Sequence, residues 1–324
     1  MKRPGRSNGL AFFFDGVPGR ARHVGGYNPA LSTDRRIQSD PIAIMNRSSL
    51  PSPRILLLAA ACALACAGAH AQGTGGTGGA GDKDDKINPD RPDFVNSPDV
   101  VGKGRFQVEA GVQWDRQREP EEHTRTLTTP LTLRYGIGES FELRLDTDGR
   151  SIEHASDPSS GEHTTTAGYT DSAFGFKWHG ADQQGNVPSY GLMVEAYLPT
   201  GSRALRTPGL RPLLYVPAEW TLPNDFSLGI MPGFGFDRND DGAHYGYGVM
   251  AASLGKDFNE RLHGILEVAL PQIARADNGG TQARIDTGLA WLVSKDCQVD
   301  AIVMHGLNHN TPGLSLGVGL SFRR

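Results

Sequence analysis

The chain has 324 residues, 38% of them hydrophobic, a formal net charge of −4 and a mean hydropathy of −0.38. Slight acidity, with no basic tract and no aromatic RNA motif, argues against nucleic acid as a partner. No segment beyond the export signal described below carries the apolar run a membrane helix needs. The 42 glycines and the mixed polarity fit β structure, where alternation hides a membrane-facing surface from averaged hydropathy.

Residues 1–44 show no periodic pattern and read as an upstream extension ahead of a true start at Met45. Residues 45–54 form a positive n-region, 55–67 an Ala/Leu-rich h-region, and Ala69-His70-Ala71 before Gln72 an A-x-A cleavage site. Residues 45–71 are therefore expected to be a signal peptide cleaved after Ala71. No lipobox precedes Cys66, and only Cys297 survives processing, so the mature chain has no intrachain disulfide. Residues 72–104 read as a periplasmic leader that opens on a flexible Gly-rich tract.

From residue 105 to the C-terminus, segments of about ten residues repeat, each long enough to cross a bilayer as a tilted strand. They fall near 105–115, 126–136, 139–148, 166–179, 188–199, 210–222, 225–237, 243–257, 259–270, 281–293, 297–306 and 313–322. Side chains alternate between faces along a strand. Phe106, Val108, Ala110, Val112 and Trp114 thus oppose Gln107, Glu109, Gly111, Gln113 and Asp115. In the last segment Leu314, Leu316, Val318, Leu320 and Phe322 oppose Ser315, Gly317, Gly319 and Ser321. The segment containing Tyr245 and Tyr247 is ambiguous, because either parity is fairly apolar. The pattern predicts an all-β fold, a transmembrane antiparallel β-barrel of about twelve strands over 105–324.

Connections near 136–139, 223–224, 257–258 and 294–296 are tight, as periplasmic hairpins require, while 116–125 and 149–165 are long and charged. Residues 180–187 are longer than that rule expects. Phe141, Trp178, Trp220, Phe226, Trp291 and Phe322 stand at the periplasmic strand ends, where an interfacial girdle belongs.

Just before the first strand stands DRPDFVNSP at residues 90–98, followed by GRFQVEAG at 104–111 and, later, DSAFGFK at 171–177. This resembles the outer-membrane transporter family labelled "MetA-pathway of phenol degradation", over residues 88–324. The resemblance implies an outer-membrane location and uptake of an aromatic or other small compound. Here the aromatic Phe322 is followed by an Arg pair instead of ending the chain, a departure that bears on its recognition by the barrel assembly machinery.

Charges on the expected lumen face are Glu109, Arg134, Glu142, Arg144, Asp146, Asp171, Lys177, Glu195, Glu219, Glu267, Arg284 and Asp286. On the lipid face each would cost about 2–4 kcal/mol at midplane if basic and less if acidic, so they belong inside. Two roles stay open, a polar pathway tuning selectivity and a salt-bridged filling of a narrow barrel. Asp90, Arg91, Asp93 and Phe94 are expected at the periplasmic mouth, the leader folding back with Arg91 pairing lumen carboxylates; a plain linker is the alternative.

Catalytic residues are not assigned, since no Ser stands at a distinctive spacing from His263, His305 or His309. The acidic loop with His154 and His163 matches no metal-ligand spacing. Gly233, Gly235, Gly317 and Gly319 read as strand glycines easing curvature, because no helix follows to make a phosphate loop. Neither cofactor nor metal is expected. The partners expected are outer-membrane lipid, a small solute and the assembly machinery at Phe322. The reading is a passive channel for a small solute, the rival a structural or adhesive barrel presenting its extracellular loops.

Overall fold

The computed structural model describes residues 86–324 apart from 121, 240 and 241. The upstream extension, the signal segment, its cleavage site and the start of the leader lie outside the described residues. Sixteen strands follow in chain order. The first eight are β1 (Phe106–Arg118), β2 (His123–Thr128), β3 (Leu131–Gly136), β4 (Phe141–Thr147), β5 (Arg150–Ser156), β6 (His163–Tyr169), β7 (Ser172–Ala181) and β8 (Ser189–Leu198). The rest are β9 (Arg211–Tyr215), β10 (Ala218–Leu222), β11 (Phe226–Arg238), β12 (His244–Asp257), β13 (Leu262–Ile273), β14 (Arg284–Ser294), β15 (Cys297–Gly306) and β16 (Leu314–Arg323).

All pairings are antiparallel, and β16 pairs with β1, which closes the sheet on itself. The sixteen strands make twelve staves, because four staves are each broken once. Pro130 separates β2 from β3 and Pro217 separates β9 from β10, since proline has no N–H for the ladder. Gly149, at φ +65°, separates β4 from β5, and the Thr170-Asp171 corner separates β6 from β7. Closure matters energetically, because a membrane-spanning sheet with a free edge would leave backbone groups unpaired in hydrocarbon.

The outer surface bears the exposed apolar parity. Phe174, Leu266, Leu289 and Val318 are each about half exposed and point outward, while their strand neighbours Ala173, Glu267, Gly288 and Gly319 face the lumen. Aromatics collect at the short-turn end. Phe106 stands opposite Tyr135, and Phe141 opposite Trp178. The turn joining β10 to β11 holds Asn224 and Asp225 at φ 61° and 57°, the left-handed pair of a tight hairpin.

Two expectations change. Residues 149–165 are not a loop: β5 and β6 rise there and pair with each other, and β5 with β2, leaving 157–162 as the connection. The Tyr245/Tyr247 ambiguity resolves through burial: the parity that carries both tyrosines continues unbroken along β12 into the buried Val249, Ala251 and Ser253, and Tyr247 packs against the buried cluster that holds Val249 and Ala251.

Candidate functional site

The lumen is filled by the leader. Residues 86–101 form neither helix nor strand, so their backbone donors and acceptors need partners from elsewhere. Lumen side chains supply them. The Glu109 carboxylate accepts from Asp90 N at 3.3 and 3.2 Å, and that of Glu267 from Phe94 N at 3.0 Å and Val95 N at 2.8 Å. Glu142 accepts from Val101 N at 2.9 Å. In the other direction Arg134 donates to Asn88 O and Asp99 O at 3.3 and 3.1 Å, Lys177 to Ser97 O at 2.9 Å, and Gln298 to Arg91 O at 3.1 Å.

Charge pairing reinforces this scaffold. Asp90 lies among three cations: Lys177 Nζ at 3.0 Å, Arg134 at 3.4 Å, and Arg144 in direct hydrogen bond. Burial alone would push its carboxyl up, but Arg134, Lys177 and Arg144 outweigh that and hold it far below the usual carboxylate range. Arg134 also grips Glu142 and Glu109 at 2.9 and 3.0 Å, and Arg144 grips Asp146 at 3.1 Å. Arg91 reaches β15, two staves from β1, and forks onto Asp300 through Nη2 at 2.8 Å and Nε at 3.2 Å. Apolar groups complete the seat. Phe94 and Val95 pack into a cluster with Met231, Ala251 and Ala269, and the Arg284 guanidinium lies 5.1 Å above the Phe94 ring.

Several glycines make this fit possible. Gly111 and Gly319 are register partners on β1 and β16, and Arg91 fills the space their side chains would take. A Cβ on Gly229 would meet Val95 at 2.9 Å, and one on Gly288 would meet Pro92 at 3.1 Å. Gly233 and Gly235 seat the Tyr215 and Tyr247 rings. Gly233, Gly235 and Gly319 are therefore clearances for particular side chains, a more specific role than easing curvature.

Every charge read from the sequence as lumenal sits on an inward position, and all but Glu219 are buried below a tenth exposure. They divide by location. Glu109, Arg134, Glu142, Arg144, Asp146, Lys177 and Glu195 surround Asp90, whereas Glu267, Arg284 and Asp286 lie under Phe94. Asp171 stands apart, held by Arg211 at 2.7 Å and by Gly201 N and Thr207 N. Sequence reading missed Asp300, Gln298 and Arg211, although the inward parity of β9 and β15 carries them.

At the end where the leader enters, a cavity of about 230 Å³ remains between leader and wall, lined by Asp93, Val95, Glu219, Ser253, His263 and Gln298 among others. Ser253 donates to Asp93 at 2.9 Å, and His263 meets Asp257 at 2.7 Å. The arrangement is a polar-walled tube with a vestibule, stoppered by a segment of its own chain.

Residues 89–323 match the family described as "Putative MetA-pathway of phenol degradation". No curated protein matches the chain in sequence. Among solved structures, an outer membrane channel from Pseudomonas putida F1 aligns with a TM-score of 0.54 at 10% identity, covering 74% of this chain and 100% of that one. The β domain of the Bordetella autotransporter BrkA aligns at 0.46 and 11% identity, covering 67% and 98%. The NanC porin aligns at 0.41 and 12%, again covering 67% and 98%. At 10% identity the likeness to the Pseudomonas channel speaks for the fold alone, a barrel of outer-membrane type.

Proposed function

The chain belongs to the family described as MetA-pathway of phenol degradation, an outer-membrane β-barrel, and from that premise we propose that it is a passive channel for a small solute. Its path is stoppered by residues 88–101. The observation that carries this reading is the use of the lumen charges. They do not pair only with one another, as an inert salt-bridged filling would; Glu109, Glu142, Glu267, Arg134 and Lys177 spend hydrogen bonds on the leader backbone. A barrel interior committed to holding a removable segment suits a pathway that is opened by shifting it. The lumen charges then act as seat for the stopper, and as selectivity lining once it moves.

The family description supports an aromatic solute, and the apolar wall of Met193, Leu213, Tyr215 and Val249 above Phe94 is compatible with one. The lipid-facing parity implies outer-membrane lipid as the lateral partner, and the strand ending at Phe322 is the segment the barrel assembly machinery would engage.

Deleting residues 72–98 tests the reading in planar bilayers and in liposome-swelling assays with phenol and small sugars. The expected result is a conductance and solute flux well above those of the intact chain, with the barrel still heat-modifiable on a gel. A folded, truncated barrel as impermeable as the intact one would refute it and favour a structural barrel.

A further inference from the structure

A cluster at the leader's exit joins the end of the stopper to the wall without entering the charge network around Asp90 or the seat of Phe94. His179, near the end of β7, stands between Asp182 in the following turn and Asp99 of the leader. Its Nε2 is 3.3 Å from Asp182 Oδ1, and its Nδ1 is 3.6 Å from Asp99 Oδ1. One ligand atom from each of the three lies within 4.8 Å of the others, the only such grouping of three among the described residues. The remaining polar atoms are already committed in ways that orient the set. His179 Nδ1 lies 3.2 Å from Pro98 O, and Asp99 Oδ2 accepts from Asn88 Nδ2 at 3.1 Å. An Nδ1–H bonded to a backbone carbonyl fixes the tautomer that offers Nε2 as a ligand, the usual outer-shell support of a metal-binding histidine.

We propose that Asp99, His179 and Asp182 form a binding site for a divalent cation of the zinc class. One imidazole and two carboxylates are a borderline nitrogen–oxygen donor set that suits such an ion. Three protein ligands leave a position for water in tetrahedral coordination. Two carboxylates beside one imidazole also supply anionic charge for a divalent ion to neutralise. His179 is partly buried and Asp182 is exposed, so the ion enters from the periplasmic solvent. Because Asp99 belongs to the leader while His179 and Asp182 belong to the wall, the ion would pin the leader where it turns toward β1. The site stands whether or not the barrel conducts.

The test is a Zn²⁺ titration by calorimetry of the intact protein folded in detergent, with heat-modifiable migration certifying each variant. One saturable site is expected, weakened at least about tenfold by His179→Ala, by Asp182→Asn and by Asp99→Asn, with His263→Ala unchanged as a control for adventitious histidines. Zn²⁺ should also slow amide exchange at Val100 and Val101 in the parent protein and not in Asp99→Asn. Absence of saturable binding, or undiminished binding in folded His179→Ala, overturns the site. Undiminished binding in Asp99→Asn overturns the bridge to the leader.

Discussion

Arg91→Leu is the perturbation that most directly tests how the leader is held. Arg91 and Asp300 form a two-pronged pair with both side chains at or below 1% exposure, and the guanidinium fills the slot left by Gly111 and Gly319. Removing one partner of a buried pair costs about 3–5 kcal/mol, because the other charge is left uncompensated. Here that charge is the Asp300 carboxylate on β15, which remains in the barrel whether or not the leader is docked. The penalty therefore falls on leader docking, where it amounts to roughly two to nearly four powers of ten in the docking equilibrium. Amide exchange at Phe94 and Val95, whose N–H groups bond Glu267, reads that equilibrium in the folded protein. Protection there should fall by about 100-fold or more in Arg91→Leu, while the amides of the barrel strands keep theirs. The paired variant Arg91→Leu/Asp300→Leu should recover much of the loss, since replacing both partners of a buried pair by apolar groups is often near neutral. Unchanged protection in the single variant, or a double variant no better than the single, would refute the reasoning.

Other expectations follow from the same geometry. Burial pushes the Asp93 carboxyl up to about 6, with the Ser253 hydroxyl holding it partly back. The docked leader then keeps a proton that the free leader, with an ordinary carboxylate pKa of about 4, has already released, so docking should weaken as pH rises from about 4 to about 6. Asp93 is only partly buried, which discounts the effect to roughly tenfold. Asp93→Asn should abolish this pH dependence in the exchange of Phe94 and Val95, and a slope that persisted would assign it to another group. Gly229→Val should expel Val95, whose Cγ1 a Cβ there would meet at 2.9 Å; it would lower leader protection without unfolding the barrel, and intact protection would sink the clearance argument. Leu289→Arg, half exposed near the middle of β14, should cost about 2–4 kcal/mol in urea unfolding from liposomes. A cost near zero there would mean that this face does not meet lipid.

The strand inventory was legible in the chain because it rests on a period of two, a property of neighbours along the sequence. Phe226, Leu228 and Phe234 against Ser227, Gly229 and Gly235 named the lipid and lumen faces before any contact was known. The segments read as continuous over 126–136 and 210–222 are interrupted at Pro130 and Pro217, which the structure shows as breaks within single staves. Where the period failed, at Tyr245 and Tyr247, packing settled the facing, since Tyr247 lies against the buried Val249 and Ala251 and their partners from other staves, contacts that cannot be read from one strand. The strands β5 and β6 escaped notice because residues 149–165 are largely polar and show no alternating apolar face; only their pairing with each other and with β2 reveals them.

What the sequence determined by itself was the barrel, its even strand number and the inward placement of its charges, all consequences of local alternation and the cost of charge in lipid. Which charges meet was decided only by closure and stagger, which carry Arg91 to Asp300 across 209 positions and Phe94 to Glu267 across 173. The leader has no periodicity to read. Its course is fixed by satisfying each backbone group against a wall whose residues come from distant staves, so its seat exists only in the closed tertiary structure.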